Sequence, residues 1–461
     1  MRTPVPLPLS LLLLLLHCAA LAVGAVEEQQ ELRQLLVVFR HGDRAPLWEP
    51  PGYHDWPVSL GQLTSLGIEQ MFGRGKAFRD AYVCDSSPSA AEKCVYKVLS
   101  SSFVDTDVYV RSSDVDRTLV SAQAFLQGLY PPGSTSNVPN NVQLIPVHTI
   151  PLGRDSLMVG QKLCPRYREN LSRLNASHEW AVLFQKLADV PSVGGLQPST
   201  LANMTAFVDL CVCYNQHLPD RLREFGLTQE NCTNIIDVAT QAWSDAYDPN
   251  GAGAISGGAL LSEIFARMKD AVDGAPSPRL LIYSGHDTTI ANLLSALGMK
   301  LRALPPYGAQ IVFELWKTGE SYDVAVKYEG EAQTMCSGKA KCAYPELKKL
   351  LEKNIFDSWD LIESTASAWE MACTPSSSSS SQWSGVDLAV LSIMGVIVVG
   401  SLVGGVIFWF KRRAIRRKKY RKKDGMTFQR LDETSMQMES PMISMDMQGG
   451  AGAVSQAEAD T

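Results

Sequence analysis

The sequence has no internal repeat, no charge between Leu388 and Phe410, and no acid among the ten basic residues from Lys411 to Lys423. The missing repeat excludes solenoids and propellers. The missing charge at 388–410 points away from a solvated segment. At ~1.5 Å per residue the run reaches roughly 34 Å as a helix, enough to cross a bilayer core with some tilt. Trp409 at its end is an interfacial anchor type. The missing acid at 411–423 leaves an unbalanced positive end, which faces the cytoplasm by the positive-inside rule. Formal charge is −6 overall and −16 without the basic run. That acidic bulk argues against nucleic acid as the main partner.

The start of the chain reads as a secretory leader over 1–25. Arg2 supplies the positive start, Leu9 and Leu11 to Leu16 the apolar stretch, and Val23 and Ala25 a small-residue cleavage site. Ten cysteines, nine after leader removal, and sequons at Asn170, Asn175, Asn203 and Asn231 agree with an oxidising, glycosylating compartment. The folded unit is predicted over 26–373. Pro375 and the serine run from Ser376 to Ser381 mark a stalk over 374–387. The span follows at 388–410, and then a tail at 411–461, basic first and disordered after. The chain is thus expected to be a single-pass type I membrane protein with its large domain lumenal or extracellular.

Three short apolar runs, Leu35 to Phe39, Val108 to Val110 and Leu280 to Tyr283, read as buried parallel strands. Helical patterns at Leu63 to Ala81, Thr118 to Leu129 and Ala259 to Val272 lie between or beside them. The alternation predicts an α/β fold with a doubly wound, mostly parallel sheet. A helical cap is predicted as an insertion over about 152–255, ahead of a single transmembrane helix. The runs lead into Arg40-His41-Gly42-Asp43-Arg44, Arg111-Ser112-Ser113-Asp114 and Ser284-Gly285-His286-Asp287. Ligand sites in open α/β sheets gather at the carboxyl ends of strands, so these stretches are expected to converge. Arginine binds phosphate with a planar fork, neutral histidine is a nucleophile, and a protonated aspartate is an acid. The set suits phosphoryl transfer.

Arg40 to Pro46, R-H-G-D-R-A-P, resembles the R-H-G-x-R-x-P signature of the histidine acid phosphatases. The His286-Asp287 pair resembles the second signature, and Arg111, within Val108 to Thr118, the third arginine site. Similarity runs from about Leu36 to Cys373. With leader, stalk and span, the chain looks most like the animal lysosomal and testicular acid phosphatases. The resemblance implies a phosphate monoesterase acting at acidic pH through a phosphohistidine, with neither metal nor cofactor. His41 would be the nucleophile, and Asp287 the proton donor to the leaving alcohol. Arg40, Arg44, Arg111 and His286 would hold the phosphate. Asp287 is expected to be protonated at the working pH, with loss of that proton setting the alkaline limb. Three guanidiniums should lower the pKa of His41.

The resemblance also implies bridges Cys164–Cys373 and Cys336–Cys342. Cys213 matches one half of a third family bridge whose other position here is Gln310. One of Cys211 and Cys213 is expected to pair with Cys232, and Cys84 with Cys94. The ninth cysteine is then free or joins two chains as a homodimer. The tail departs from the lysosomal look-alikes, because Tyr420 is followed by Arg421-Lys422-Lys423 rather than by a bulky hydrophobe. Lysosome, endosome and cell surface all stay open. Asp248 to Gly251 begins like a calcium loop but reads as a turn. Rival readings are an inositol-phosphate or lysophosphatidate phosphatase, a receptor or adhesion ectodomain, and a phosphoglycerate-type mutase.

Overall fold

The computed structural model describes residues 30–83, 98–132, 141–356 and 368–375. The leader, the stalk beyond Pro375, the span, the tail and the Cys84–Cys94 pair lie outside them. Among the described residues no helix is long and apolar enough to cross a membrane.

The first strand, β1 (Glu31–Arg40), explains the layering. Leu35, Leu36, Val37, Val38 and Phe39 are all fully buried. Side chains alternate across a strand, so an unbroken apolar run needs cover on both faces. Leu35, Val37 and Phe39 join one core cluster, which includes Phe78 of α1 (Ser65–Tyr82) and Phe125 of α2 (Asp116–Leu129). Leu36 and Val38 join the other. There they share a core with α3 (Ser156–Leu163), α9 (Ala252–Val272) and α10 (Asp287–Ala296).

Strand β2 (Val108–Ser112) and β3 (Leu280–Gly285) extend the sheet from β1 in parallel, in the order β2-β3-β1. Both end at the same edge as β1, with Arg40 opposite Gly285 and Ser112 opposite Ser284. The expected mostly parallel sheet is corrected beyond β1. There β4 (Gln310–Thr318), β5 (Ser321–Tyr328), β6 (Glu331–Ala332) and β7 (Lys341–Ala343) all pair antiparallel. The reason is local: Gly319, at φ 57°, and Glu320 make a two-residue hairpin between β4 and β5. Parallel strands would need a long crossover there. Glu314 interrupts the apolar pattern of β4, yet it is buried. It is satisfied by the Tyr82 hydroxyl at 2.6 Å, Trp316 Nε1 at 3.2 Å and Lys327 Nζ at 2.5 Å.

The region predicted as a cap is helical: α3, α4 (Pro165–Asn175), α5 (His178–Gln185), α6 (Leu201–His217), α7 (Pro219–Glu224) and α8 (Gln229–Ala246). Oxygen side chains start several of these: Asp155, Ser177, Thr200 and Thr228 each accept a first-turn N–H. Helix α9 begins at Ala252, earlier than predicted, because Gly253, Ser256, Gly257 and Gly258 show no apolar period but are buried. A Cβ on Gly257 would stand 2.1 Å from the Asn292 carbonyl of α10, so small residues here permit close helix contact. Asp248 to Gly251 forms a turn, closed by Gly251 N–H donating to Asp248 O at 3.0 Å.

Cys164–Cys373 and Cys336–Cys342 are bonded as the resemblance implied. Cys211, not Cys213, pairs with Cys232. Cys213 is corrected to a free, buried thiol, and its Sγ lies 3.4 Å from the Tyr307 hydroxyl. None of the four sequon asparagines is buried.

Candidate active site

A cavity of about 830 Å³ opens at the carboxyl ends of β1 and β3. Arg40, His41, Arg44, His286 and Asp287 line it together. Tyr307 adds a ring beneath the Arg40 guanidinium, 4.2 Å away.

His41 is held at both ends of its main chain. Its N–H donates to Gly285 O at 3.0 Å, and its carbonyl accepts from Gly308 N–H at 3.1 Å. Nδ1 lies 2.8 Å from Gly42 O, and a carbonyl can only accept, so Nδ1 carries the proton. Nε2 keeps its lone pair. Burial, then the charges of Arg40, Arg44, Arg117 and His286, push the His41 pKa well below 6.5. The imidazole therefore stays neutral and nucleophilic under acidic conditions.

The loop that carries His41 rests on α1 through two glycines. A Cβ on Gly42 would stand 2.3 Å from Gly67 O, and one on Gly67 would stand 2.0 Å from Asp43 O. Thr64 Oγ1 caps α1 by accepting from Gly67 N–H and also donates to Asp43 Oδ1 at 2.5 Å. Backbone thus packs on backbone beside the nucleophile.

Asp287 sits at the start of α10, its side chain 29% exposed. Oδ2 pairs with Arg40 Nη2 at 3.0 Å, and Oδ1 accepts from Thr288 N–H at 2.7 Å. Burial alone would raise its pKa. Arg40, then Arg44 and His286, outweigh burial and hold the carboxyl below the usual carboxylate range. The arginines that face the cavity thus favour the Asp287 anion, against the protonated carboxyl expected from the sequence.

Arg111 is not among the cavity-lining residues. It lies within β2, opposite Tyr283, and its Nη2 contacts Asp155 Oδ1 at 2.6 Å. Both partners are buried, and Asp155 caps α3. Arg117, in the first turn of α2, lines the cavity instead. Its Nη2 lies 3.4 Å from His286 Nδ1, while His286 Nε2 lies 2.9 Å from Ser113 Oγ. Arginine can only donate, so Nδ1 accepts and Nε2–H donates to Ser113. The Nε atoms of Arg40, Arg44, Arg111 and Arg117 are buried without a hydrogen-bond partner among the described residues.

Residues 31–186 and 235–329, more than half of the chain, match the family model of the histidine phosphatase superfamily (branch 2). The chain belongs to that superfamily. Human prostatic acid phosphatase is 33% identical to it over 324 residues, covering 66% of this chain and 79% of its own length. Human lysosomal acid phosphatase is 30% identical over 320 residues, covering 66% and 72%. Among solved structures, a Hafnia alvei phytase in complex with tartrate is similar at TM-score 0.50, over 71% of this chain and 97% of that one. At 17% identity that likeness carries the fold alone.

The matched stretches of this superfamily member leave out 187–234, which holds α6. Asp209 of α6 contacts Arg44 Nη2 at 2.8 Å and Nη1 at 3.0 Å. It also accepts from Leu47 N–H at 2.5 Å. His217 at the end of α6 meets Asp43 Oδ1 at 2.6 Å. Sequence reasoning missed both residues, and no local pattern marks them. Arg117 had a signal: it opens the helix that follows the second strand, where anions bind.

Proposed function

We propose that the protein is an acid phosphatase that hydrolyses phosphate monoesters through a phosphohistidine on His41. The observation that carries this is the His41 imidazole. Its one unprotonated nitrogen, Nε2, is left free in a cavity walled by Arg40, Arg44 and Arg117. A phosphoryl group carries the negative oxygens that guanidiniums bind best, and positioning plus charge stabilisation is most of what such a reaction needs.

Nε2 forms a bond to phosphorus as the bond to the leaving oxygen breaks. Asp287 donates a proton to that oxygen. A water then attacks the phosphohistidine, Asp287 takes the water's proton, and inorganic phosphate departs with His41 restored. The resting carboxylate must first gain a proton. A monoester carries one below its second pKa of about 6. Once the phosphoryl oxygens engage Arg40 and Arg44, those charges no longer favour the Asp287 anion, and the substrate's proton can pass to it. Acid operation then follows from the protonation state of the bound substrate. His286 orients Arg117 through Nδ1.

The test is activity on aryl and alkyl phosphates across about pH 4 to 8, bracketing the ordinary histidine pKa, with His41→Ala alongside. Wild type should work at the acidic end and the variant should be inert. An inert wild type would sink the reading in favour of a receptor ectodomain. An inositol-phosphate or lysophosphatidate substrate would use the same groups, and a substrate panel separates these cases. The leader, sequons, uncharged run and basic tail support a type I membrane topology with this site on the lumenal or extracellular side.

A further inference from the structure

The cavity is far larger than a phosphoryl group, and its charged wall residues sort by partner. Arg44 is held by Asp209 and Arg40 by Asp287, and Arg117 faces His286. Lys162 and Arg302 also line the cavity, exposed and without an ion pair or hydrogen bond among the described residues. Asp237 of α8 is a lining carboxylate in the same condition. Two cations against one carboxylate leave a positive surplus beyond the phosphate end.

Neither cation is loosely placed at its base. Lys162 follows Gln161, whose Nε2 donates to Thr288 Oγ1 at 2.9 Å and whose Oε1 accepts from Asn292 Nδ2 at 2.7 Å. Residue 162 therefore follows a side chain bonded to α10 at Thr288 and Asn292. Arg302 follows the buried Leu301, three residues before Pro305, whose carbonyl accepts from Arg40 Nη1 at 2.5 Å. The Lys162 segment is thus bonded to the helix that carries Asp287, and the Arg302 segment to Arg40.

We infer that Lys162 and Arg302 form a second anion subsite, and that the substrates are monoesters whose leaving group carries a carboxylate or another phosphate. The inference rests on the phosphatase reading and names its substrate class. Exposed cations are screened, so the preference is several-fold and salt-dependent.

Calorimetry with benzylphosphonate, 4-carboxybenzylphosphonate and 1,4-bis(phosphonomethyl)benzene tests this without turnover. At low ionic strength wild type should bind the two probes that carry a second anionic group about 3- to 10-fold more tightly than the parent, as two screened contacts allow. The preference should vanish in Lys162→Ala/Arg302→Ala, and Lys162→Glu should invert it, with benzylphosphonate binding changed less than that of the other two probes. A preference that survives the double substitution, or an equal loss for all three probes, overturns the subsite. Phenyl phosphate hydrolysis, measured separately, reports on the phosphatase reading itself. If the bis-phosphonate alone is preferred, the site takes phosphate; if both are, it takes anions generally, and either result supports it.

Discussion

Asp209 grips both terminal nitrogens of Arg44 from a helix that reaches in over the nucleophile's loop. His217, two turns further along, grips Asp43 of the same loop with the opposite polarity. Arg44 and Asp209 are 6% and 12% exposed in their side chains. Removing one partner of a buried pair leaves the other charge uncompensated and typically costs about 3–5 kcal/mol. Asp209→Ala should lower the melting temperature accordingly. Inorganic phosphate, an anion for the orphaned Arg44, should then raise the variant's melting temperature more than that of wild type. Equal phosphate shifts would show that Asp209 does not set the charge on Arg44.

Arg117→Ala and Arg111→Ala should fail differently. Loss of a preorganised donor to developing charge typically costs about 10²–10³ in rate. Arg117→Ala should show that loss in kcat/KM on p-nitrophenyl phosphate, with little change in stability. Arg111→Ala strands the buried Asp155 and should mainly unfold the protein, by about 3–5 kcal/mol in urea titrations. A stable, catalytically dead Arg111→Ala would restore Arg111 to the phosphate site.

The two histidines make the fold acid-sensitive. His286 is pushed down to about 3, first by burial and then by Arg117, and His41 also lies well below 6.5. Between those values and 6.5 the unfolded chain binds protons that the folded chain refuses. Stability therefore rises with pH through that window and falls as pH drops below 6.5. Each unit is worth about 1.4 kcal/mol per histidine. Asp287 adds the depressed-carboxylate case: its contribution is present above the ordinary aspartate pKa and is lost below it. His286→Gln should flatten the slope, so its stability relative to wild type should improve by about 2–3 kcal/mol between pH 6.5 and 4.5. Parallel slopes in denaturant titrations would count against a neutral buried His286.

Asp287→Asn separates the proton from the phosphoryl step. With p-nitrophenyl phosphate, whose leaving oxygen needs little help, phosphorylation of His41 should be reduced far less than with an alkyl phosphate. Proton donation by a positioned group contributes about 10²–10⁴, so the gap between the substrates should approach that size. Burst kinetics would measure it. Equal losses on both would mean that Asp287 acts through Arg40 rather than as an acid.

The parallel strands were legible because each is a short run with both faces covered, so composition alone marks them. Their trailing Arg-His and His-Asp pairs were legible because polar residues straight after such a run stand at the open edge of a sheet. Arg111 misled because it also follows an apolar run. The strand continues through it, however, and pairing with Tyr283 leaves it at the Asp155 cap. Arg117 is a turn further on, beyond the strand. The hairpin of β4 and β5 was hidden by Glu314, whose burial depends on Tyr82, Trp316 and Lys327, two of them on other elements. Asp209 and His217 were invisible for the same reason: contact with residues more than 160 positions away leaves no trace in local pattern.

Glycines 42 and 67 let two stretches of main chain touch, with no room at either for even one methyl group. The line of attack of the imidazole thus depends partly on atoms that are missing. A single alanine at 42 or 67 would shift the ring while leaving every charged and polar side chain in place, so this enzyme can be silenced by a substitution that no inventory of reactive groups would flag.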